Sequence, residues 1–413
     1  MDNMTDETPF QKWELGGHTK GASYTTFPAN VEKLGLEEAI KIAKLELSTI
    51  RQVHGFAREH NIDCESRHID TADIIYNQET LDQAAKTVRF MQKVMPNHPA
   101  SKYTFWNKQE TEERFLVPGA AGTITYEAGS LSSYKFVIGL LKLCLKRGLN
   151  LQTNTPVTGL QRQDINRASA STTTTPKNFW TIITPRGNIQ AAKVIMATNG
   201  YSAAIYPKLQ GVIVPVRGQV TAQRPGSNMP VPPSGLVNTY SFNYGSGFDY
   251  MIQCPQSSKY PGDIVIGGGF GVSKNDGLVN YGNTDDSVVE AATSEYLAAS
   301  TVEFFGKNWG RDNVAGRVRH EWTGIMGYSA DGYPLVGEMP GEPGLFISAS
   351  FQGHGMVHCF LCAQALTSMI FGDDEKTLDS WFPRAYKVTS ERLKQRLDHR
   401  ITPSPKPQSK ARL

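Results

Sequence analysis

Cysteine is scarce in this chain. Cys64, Cys144, Cys254, Cys359 and Cys362 are scattered and odd in number, which excludes the disulfide framework of a small secreted domain. A surplus of one charge is also lacking: a formal net charge of +3 over 413 residues gives no whole-chain case for nucleic acid. No run approaches the roughly 18 consecutive apolar residues of a membrane span. The first fifteen residues are acidic and polar, so no secretory leader is read there. Together these point to a reducing interior and free thiols. No internal repeat is visible.

What is present suits a globular protein of two or three domains, since 39% hydrophobic and 10% aromatic residues supply a sizeable core. Leu36 to His60 carries apolar residues at helical spacing with Glu37, Glu38, Lys41, Lys44, Arg51 and Arg58 on the other face, an amphipathic helix. Arg67 to Tyr76 reads as a strand, Thr80 to Val94 as a helix closed by Pro96, and Gln109 to Phe115 as a short acidic helix. Ala120 to Tyr126 is glycine-rich. Tyr134 to Lys146 reads as a helix ended by Gly148, and Leu151 to Leu160 as a strand. The low-complexity stretch 168–176 is a loop insertion in a hairpin whose arms are Trp180 to Thr184 and Asn188 to Ala192. Val194 to Ala197 is a buried strand ending in Thr198-Asn199-Gly200. Val212 to Gln223, Tyr250 to Gln253 and Asp263 to Gly267 are strand-like, and Glu290 to Phe305 is helical.

The most informative stretch is Leu345 to Gly372. A strand, Leu345 to Ser350, leads into Gln352-Gly353-His354-Gly355, where two glycines let the backbone pass close to something bulky. An apolar run without charge or proline follows from Met356 and predicts a buried helix whose first turn points N–H groups at the glycine turn. His354, His358, Cys359 and Cys362 have zinc-like spacing, but the cysteines stand in an apolar run and read as buried small hydrophobes; no metal is expected.

Taken in order, GGHTKG (16–21), the segment from Tyr126 to Leu160, VIMATNGYS (194–202), VPVRGQV (214–220), YSADGYPLVGE (328–338) and SFQGHGM (350–356) resemble the FAD-dependent oxidoreductases of the D-amino-acid-oxidase superfamily. The resemblance spans about Gly16 to Gly372 and is to the fungal amine-oxidase type, similar to γ-glutamylputrescine oxidase. It implies an α/β (mixed α+β) fold in which an incomplete FAD-binding Rossmann-like domain (1–30, 120–205, 335–375) is interleaved with a mixed-sheet substrate domain (31–119, 206–334), followed by a basic flexible tail (384–413). It implies that Gly16, Gly17, His18, Val157, Thr198, Gly200, Gly353, His354, Gly355 and Met356 contact FAD. Val157 would offer strand backbone to the adenine edge, and Gly353 to Met356 would face the pyrimidine edge. Asn199 stands where the family usually has glycine. Ile325 and Met326 offer no thiol for a covalent link, so FAD is expected to be non-covalent. Arg217 is either a carboxylate binder or part of a surface ion pair. Tyr250, Trp322 and Tyr328 either line an amine pocket or belong to the core. No catalytic base is identified.

One family motif is missing from the 413 residues: the strand, G-x-G-x-x-G, helix and acidic residue of a dinucleotide site, a unit of roughly 30 or more residues. Asp263 to Gly271 (DIVIGGGFG) imitates it, but Val272 takes the third glycine's place and a polar, turn-like stretch follows. It reads as a strand and turn of the substrate domain. Either the unit belongs upstream, or the chain does not bind FAD in the usual way. The expected activity is oxidation of an amine or amino acid to an imine by hydride transfer to flavin, with O2 reduced to H2O2. The alternative is a truncated, non-catalytic remnant that acts as a binding protein. From Arg384 on, nine Lys or Arg stand against two Asp or Glu. The last residues, Ala411-Arg412-Leu413, resemble a peroxisomal address read by an import receptor. The compartment is therefore expected to be the peroxisome, otherwise the cytoplasm.

Overall fold

A computed structural model describes residues 16–164, 178–244, 247–273, 277 and 279–397. Its elements, in chain order, are β1 (His18–Thr19), α1 (Ser23–Leu34), α2 (Leu36–Glu59), β2 (Arg67–Ile75), α3 (Gln78–Val94), β3 (Thr104–Asn107), α4 (Lys108–Phe115), β4 (Gly122–Ser130), α5 (Ser133–Lys146), β5 (Gly159–Asp164), β6 (Asn178–Ile183), β7 (Ile189–Ala191), β8 (Val194–Met196), α6 (Ser202–Ile205), β9 (Ile213–Gln223), β10 (Thr239–Tyr244), β11 (Gly247–Gln253), β12 (Ile264–Gly267), α7 (Ala291–Phe305), β13 (Val318–Ser329), β14 (Leu335–Glu338), β15 (Leu345–Ala349), α8 (Cys359–Phe371) and α9 (Glu375–Asp379).

The chain divides into two compact units. The first holds the described residues up to Lys142 and Arg217–Ile325; the second holds those of Leu143–Val216 and from Met326 onward. The boundaries expected at 30/31 and 119/120 both fall inside the first unit. The mixed α/β organisation expected from the sequence is the one found. In the first unit a large mixed sheet runs β1-β4-β2-β10-β11-β12-β9-β13, with β3 also on β4. β10 pairs with β2 in parallel there. On one face, Tyr240, Phe242, Met251, Ile264 and Ile266 bury against Leu297, Phe304 and Phe305 of α7. On part of the other, α1, α2 and α3 pack Tyr24, Phe27, Ala43, Val88 and Met91 over Ile75, Ile124 and Tyr126.

Local chemistry accounts for the helix ends. Asn77 accepts from Thr80 N at the start of α3, Asn107 and Glu110 form a capping box on α4, and Glu290 caps α7 through Thr293 N. Gly35, at φ 86°, separates α1 from α2. The imitation dinucleotide motif resolves as β12, antiparallel between β11 and β9, followed by a single 3-10 turn at Phe270–Val272 rather than an α-helix.

In the second unit β15 lies between β14 (antiparallel) and β8 (parallel), and β5-β6-β7 form an antiparallel sheet. Three expectations are corrected here. The strand expected over Leu151 to Leu160 begins only at Gly159, because Pro156 has no N–H to donate and pairing starts where Thr158 N reaches Ile183 O at 2.9 Å. Val157 therefore lies in irregular, half-buried chain. The strand at 194–196 is not buried throughout: Ile195 is 53% exposed, since β8 pairs on one side only among the described residues. The expected buried helix starts at Cys359, after a 3-10 turn at Gly355–Val357, and buries one stripe, Leu361, Cys362, Ala365 and Leu366. Cys359 and Phe371 are exposed. The insertion at 168–176 lies outside the described residues. Of the basic tail, 384–397 is described and held to the body: Tyr386 is buried, Val388 N donates to Val336 O, and Arg392 grips Asp331.

Candidate functional site

In the first unit, Gly16 and Gly17 adopt left-handed φ of 67° and 62° just ahead of β1. A Cβ on Gly16 would stand 2.3 Å from the Tyr250 ring, and one on Gly17 2.0 Å from the Leu131 carbonyl. The protein's own packing therefore demands both glycines, and it brings Gly16, Gly17, His18 and Tyr250 together. His18 is buried with Nε2 3.4 Å from Thr71 Oγ1, and its ring lies 6.4 Å from that of Tyr250. Thr19, the next residue, contacts His54 Nε2 at 2.8 Å. Burial, with His68 and Arg58 nearby, pushes His54 down to about 4, so it is neutral at pH 7.

Strand register puts Thr71, Asp73, Thr239, Ser241 and Tyr250 on one face of the sheet, because Thr239 opposes Thr71, and Ser241 opposes both Asp73 and Tyr250. Thr239 Oγ1 and Ser241 Oγ are fully buried and have no hydrogen-bond partner among the described residues. Such groups normally find one. Beside them Asp73 accepts from the hydroxyls of Tyr24 and Tyr126, both at 2.9 Å, and pairs with Lys20 at 3.3 Å. Glu46 lies close by, 2.6 Å from Ser23 Oγ. Burial raises it to about 7, against the opposing pull of Ser23, Lys20 and the Ala22 backbone. Sequence reading passed over this cluster because residues 20, 24, 46, 73 and 126 are far apart in the chain.

Arg217 is buried. Its guanidinium donates to Asn280 Oδ1 (3.1 Å) and to the carbonyls of Asp285 (3.2 Å) and Val288 (3.1 Å), so the surface ion pair considered for it is not what forms. Trp322 stacks on His320 at 6.0 Å, and both Trp322 and Tyr250 pack against Val220, Ala222, Ile252 and Val265.

In the second unit, Ser350, Gln352 and Gly353 have φ of 64°, 54° and 75°, three left-handed residues within four. Two of them are not glycine, and such a turn persists only where its surroundings over-determine it. Gln352 N donates to Gly327 O (3.0 Å), while Gln352 Nε2 lies 2.8 Å from Ser350 Oγ and 3.0 Å from Ser329 Oγ. Asn199 Oδ1 accepts from the N–H of Ser350 (2.9 Å) and Phe351 (3.4 Å). A Cβ on Gly353 would meet Tyr328 Oη at 3.0 Å and Met326 Sδ at 3.2 Å, so the turn lies on the end of β13. Burial pushes the Tyr328 phenol up to about 12. Gly353 itself is exposed; His354, Gly355 and Met356 are half-buried. Burial pushes His358 down to about 4. It is thus neutral: Nδ1–H donates to the His354 carbonyl and Nε2 accepts from the Tyr386 hydroxyl, both at 2.9 Å. Thr198 Oγ1 contacts Ser202 Oγ at 3.0 Å, and Gly200 is buried in the 3-10 turn after β8.

The turn at 350–353, joined to β8 through Asn199, and the polar sheet face carrying His18 and Tyr250 are the two features that carry binding chemistry. The pattern of the DAO family, FAD dependent oxidoreductase, matches residues 11–369. A probable oxidoreductase, OrdL, of Haemophilus influenzae is 19% identical over 359 residues, 84% of this chain and 71% of that protein. Glycine oxidase of Pseudomonas putida is 27% identical over 117 residues, 27% of this chain and 31% of that one. Among solved structures, glycine oxidase from Geobacillus kaustophilus superposes with a TM-score of 0.63 at 16% identity, covering 91% of this chain and 97% of that one. L-proline dehydrogenase from P. horikoshii gives 0.61 at 15%, covering 87% and 85%.

Proposed function

This chain belongs to the DAO family of FAD-dependent oxidoreductases, and on that footing we propose that it oxidises a small amine or amino acid to the imine, with O2 reduced to H2O2 and FAD held non-covalently. The single observation that carries the substrate side is the pair of buried hydroxyls beside His18 and Tyr250, Thr239 Oγ1 and Ser241 Oγ, that have no partner among the described residues. A polar, largely uncharged small molecule over this sheet face satisfies them, and the Tyr250 ring gives an amine a π face. FAD, when bound, would supply the acceptor for a hydride from the carbon bearing the nitrogen. In the second unit, the exposed edge at Gly353 and the half-buried His354 to Met356 offer backbone donors suited to an electron-rich ring edge. Thr198 and Gly200 extend the same contact. Tyr328 braces the turn from below, and the neutral His358 fixes the His354 carbonyl, which orients that loop without adding charge. The order of the six motifs favours an amine-oxidase substrate of the γ-glutamylputrescine type. Within the first unit, Arg217 holds the loop at 280–288.

The test is the visible spectrum of the purified 413-residue chain with and without added FAD, followed by peroxide detection across amines and amino acids. A bound-flavin spectrum and peroxide with one amine class are expected, and acid precipitation should release the colour into solution. A protein that stays colourless with FAD sinks the reading and leaves a binding protein as the alternative. We also propose that Ala411-Arg412-Leu413 is read by the peroxisomal import receptor. Replacing Leu413 in an N-terminally tagged chain should then disperse it through the cytoplasm, and an unchanged distribution rejects the address.

A further inference from the structure

We propose that Asn199 is the positioning residue of the flavin-edge turn: its side-chain carbonyl holds the Ser350 and Phe351 amides in the one backbone arrangement that presents Gly353 to Met356. The inference rests on the reading of the second unit as a flavin site. Three observations carry it. Asn199 has φ 43°, a left-handed conformation that asparagine tolerates better than most residues. Its Oδ1 reaches two successive N–H groups, at 2.9 and 3.4 Å, at the point where the chain leaves β15 for three left-handed residues. The space around it is also reserved: a Cβ on Gly327 would lie 2.6 Å from Asn199 Oδ1 and 2.9 Å from Gly200 N, so β13 is glycine where it passes this side chain. A glycine at 199 would keep the backbone but leave both amides without their acceptor. The asparagine thus supplies both the bend and the acceptor, which links the end of β8 to the turn after β15 through one side chain.

The experiment compares Asn199→Gly, which keeps the left-handed backbone and loses the acceptor, with Asn199→Asp, which keeps both. Amide exchange is followed by mass spectrometry on the full chain, without and with FAD, and FAD affinity is titrated by absorbance. Losing the acceptor should speed exchange of the 350–351 amides by about tenfold or more and weaken FAD binding by about tenfold, with the bound-flavin spectrum shifted. Exchange in the β5–β6 hairpin should not change. Asn199→Asp should restore protection. If Asn199→Gly fails to fold, Gly327→Ala displaces the same oxygen and should give the same local signature. Wild-type exchange in the variant that folds overturns the proposal. So does faster exchange with unchanged FAD affinity and spectrum. A wild-type chain that takes up no FAD sinks the flavin reading instead, and the exchange comparison then decides the part of Asn199 alone.

Discussion

At Gly353 the backbone and the space argue the same way. Its φ is 75°, and a methyl group there would press on Tyr328 Oη and Met326 Sδ at 3.0 and 3.2 Å. Gly353→Ala should cost about 1–2 kcal/mol in urea denaturation, from the left-handed strain plus the displaced neighbours; a loss below a few tenths would mean that the turn is slack. Glu46 gives a second residue-scale prediction. Its folded value, about 7, lies above the ordinary value of 4.5, with burial the cause. The folded state therefore binds the proton more tightly. That stability is fully present below about 4.5 and is lost as pH rises through about 7. Glu46→Gln should flatten the fall of Tm across this window. Asp249, raised by burial to about 6, acts with the same sign, so part of the slope should remain. A slope identical to wild type would place Glu46 in contact with solvent. None of this was legible in the sequence, because the Lys20, Glu46 and Asp73 cluster is assembled from the link after β1, α2 and β2, at distant positions. The glycine turn, by contrast, was legible in Gln352 to Gly355. Its strain was not: it falls on Ser350 and Gln352, which carry no composition signal.

Among elements, the segment after α9 earns its place through Arg392. The guanidinium donates to both Asp331 oxygens (2.6 and 3.0 Å) and to the carbonyls of Tyr333 (3.0 Å), Pro334 (2.8 Å) and Lys387 (3.1 Å). Asp331 in turn accepts from Ser329, which contacts Gln352 of the turn. Arg392→Ala should destabilise the protein by about 1–3 kcal/mol, since it removes the guanidinium's bonds to three carbonyls and the counter-charge of Asp331, and Arg392→Lys should recover little because it cannot bind two oxygens at once. Chemical denaturation of the three proteins decides it; equal midpoints would make the segment an ornament. Composition alone had placed this stretch in a flexible tail, and only the pairing with Asp331 shows otherwise. The long amphipathic helices α2 and α3, the β6–β7 hairpin and β15 were legible from period and turn residues. α1 was not read, because Pro28 stands inside it. β4 was not read because of its glycines, yet they are what the strand requires: a Cβ on Gly122 would strike Trp106 O and Leu81, and one on Gly129 would strike His54 and Arg67 O.

For the molecule as a whole, the decisive link is between cofactor and stability. A ligand that binds the folded chain and not the unfolded one stabilises it by RT ln(1 + [L]/Kd), about 2.7 kcal/mol at a free concentration of about 100 Kd. The strained turn at 350–353, which the flavin reading assigns to the ring edge, exists only in the folded chain. Its melting temperature should therefore climb with the logarithm of FAD concentration. ATP, which shares the adenine and the phosphates but not the flavin ring, should give a much smaller shift if the ring edge at Gly353 to Met356 supplies most of the grip. Equal shifts would move the binding energy to the nucleotide end and count against the turn. A melting temperature indifferent to FAD would remove the cofactor from this 413-residue chain. Two compact units allow two transitions, so the shift is to be read on each.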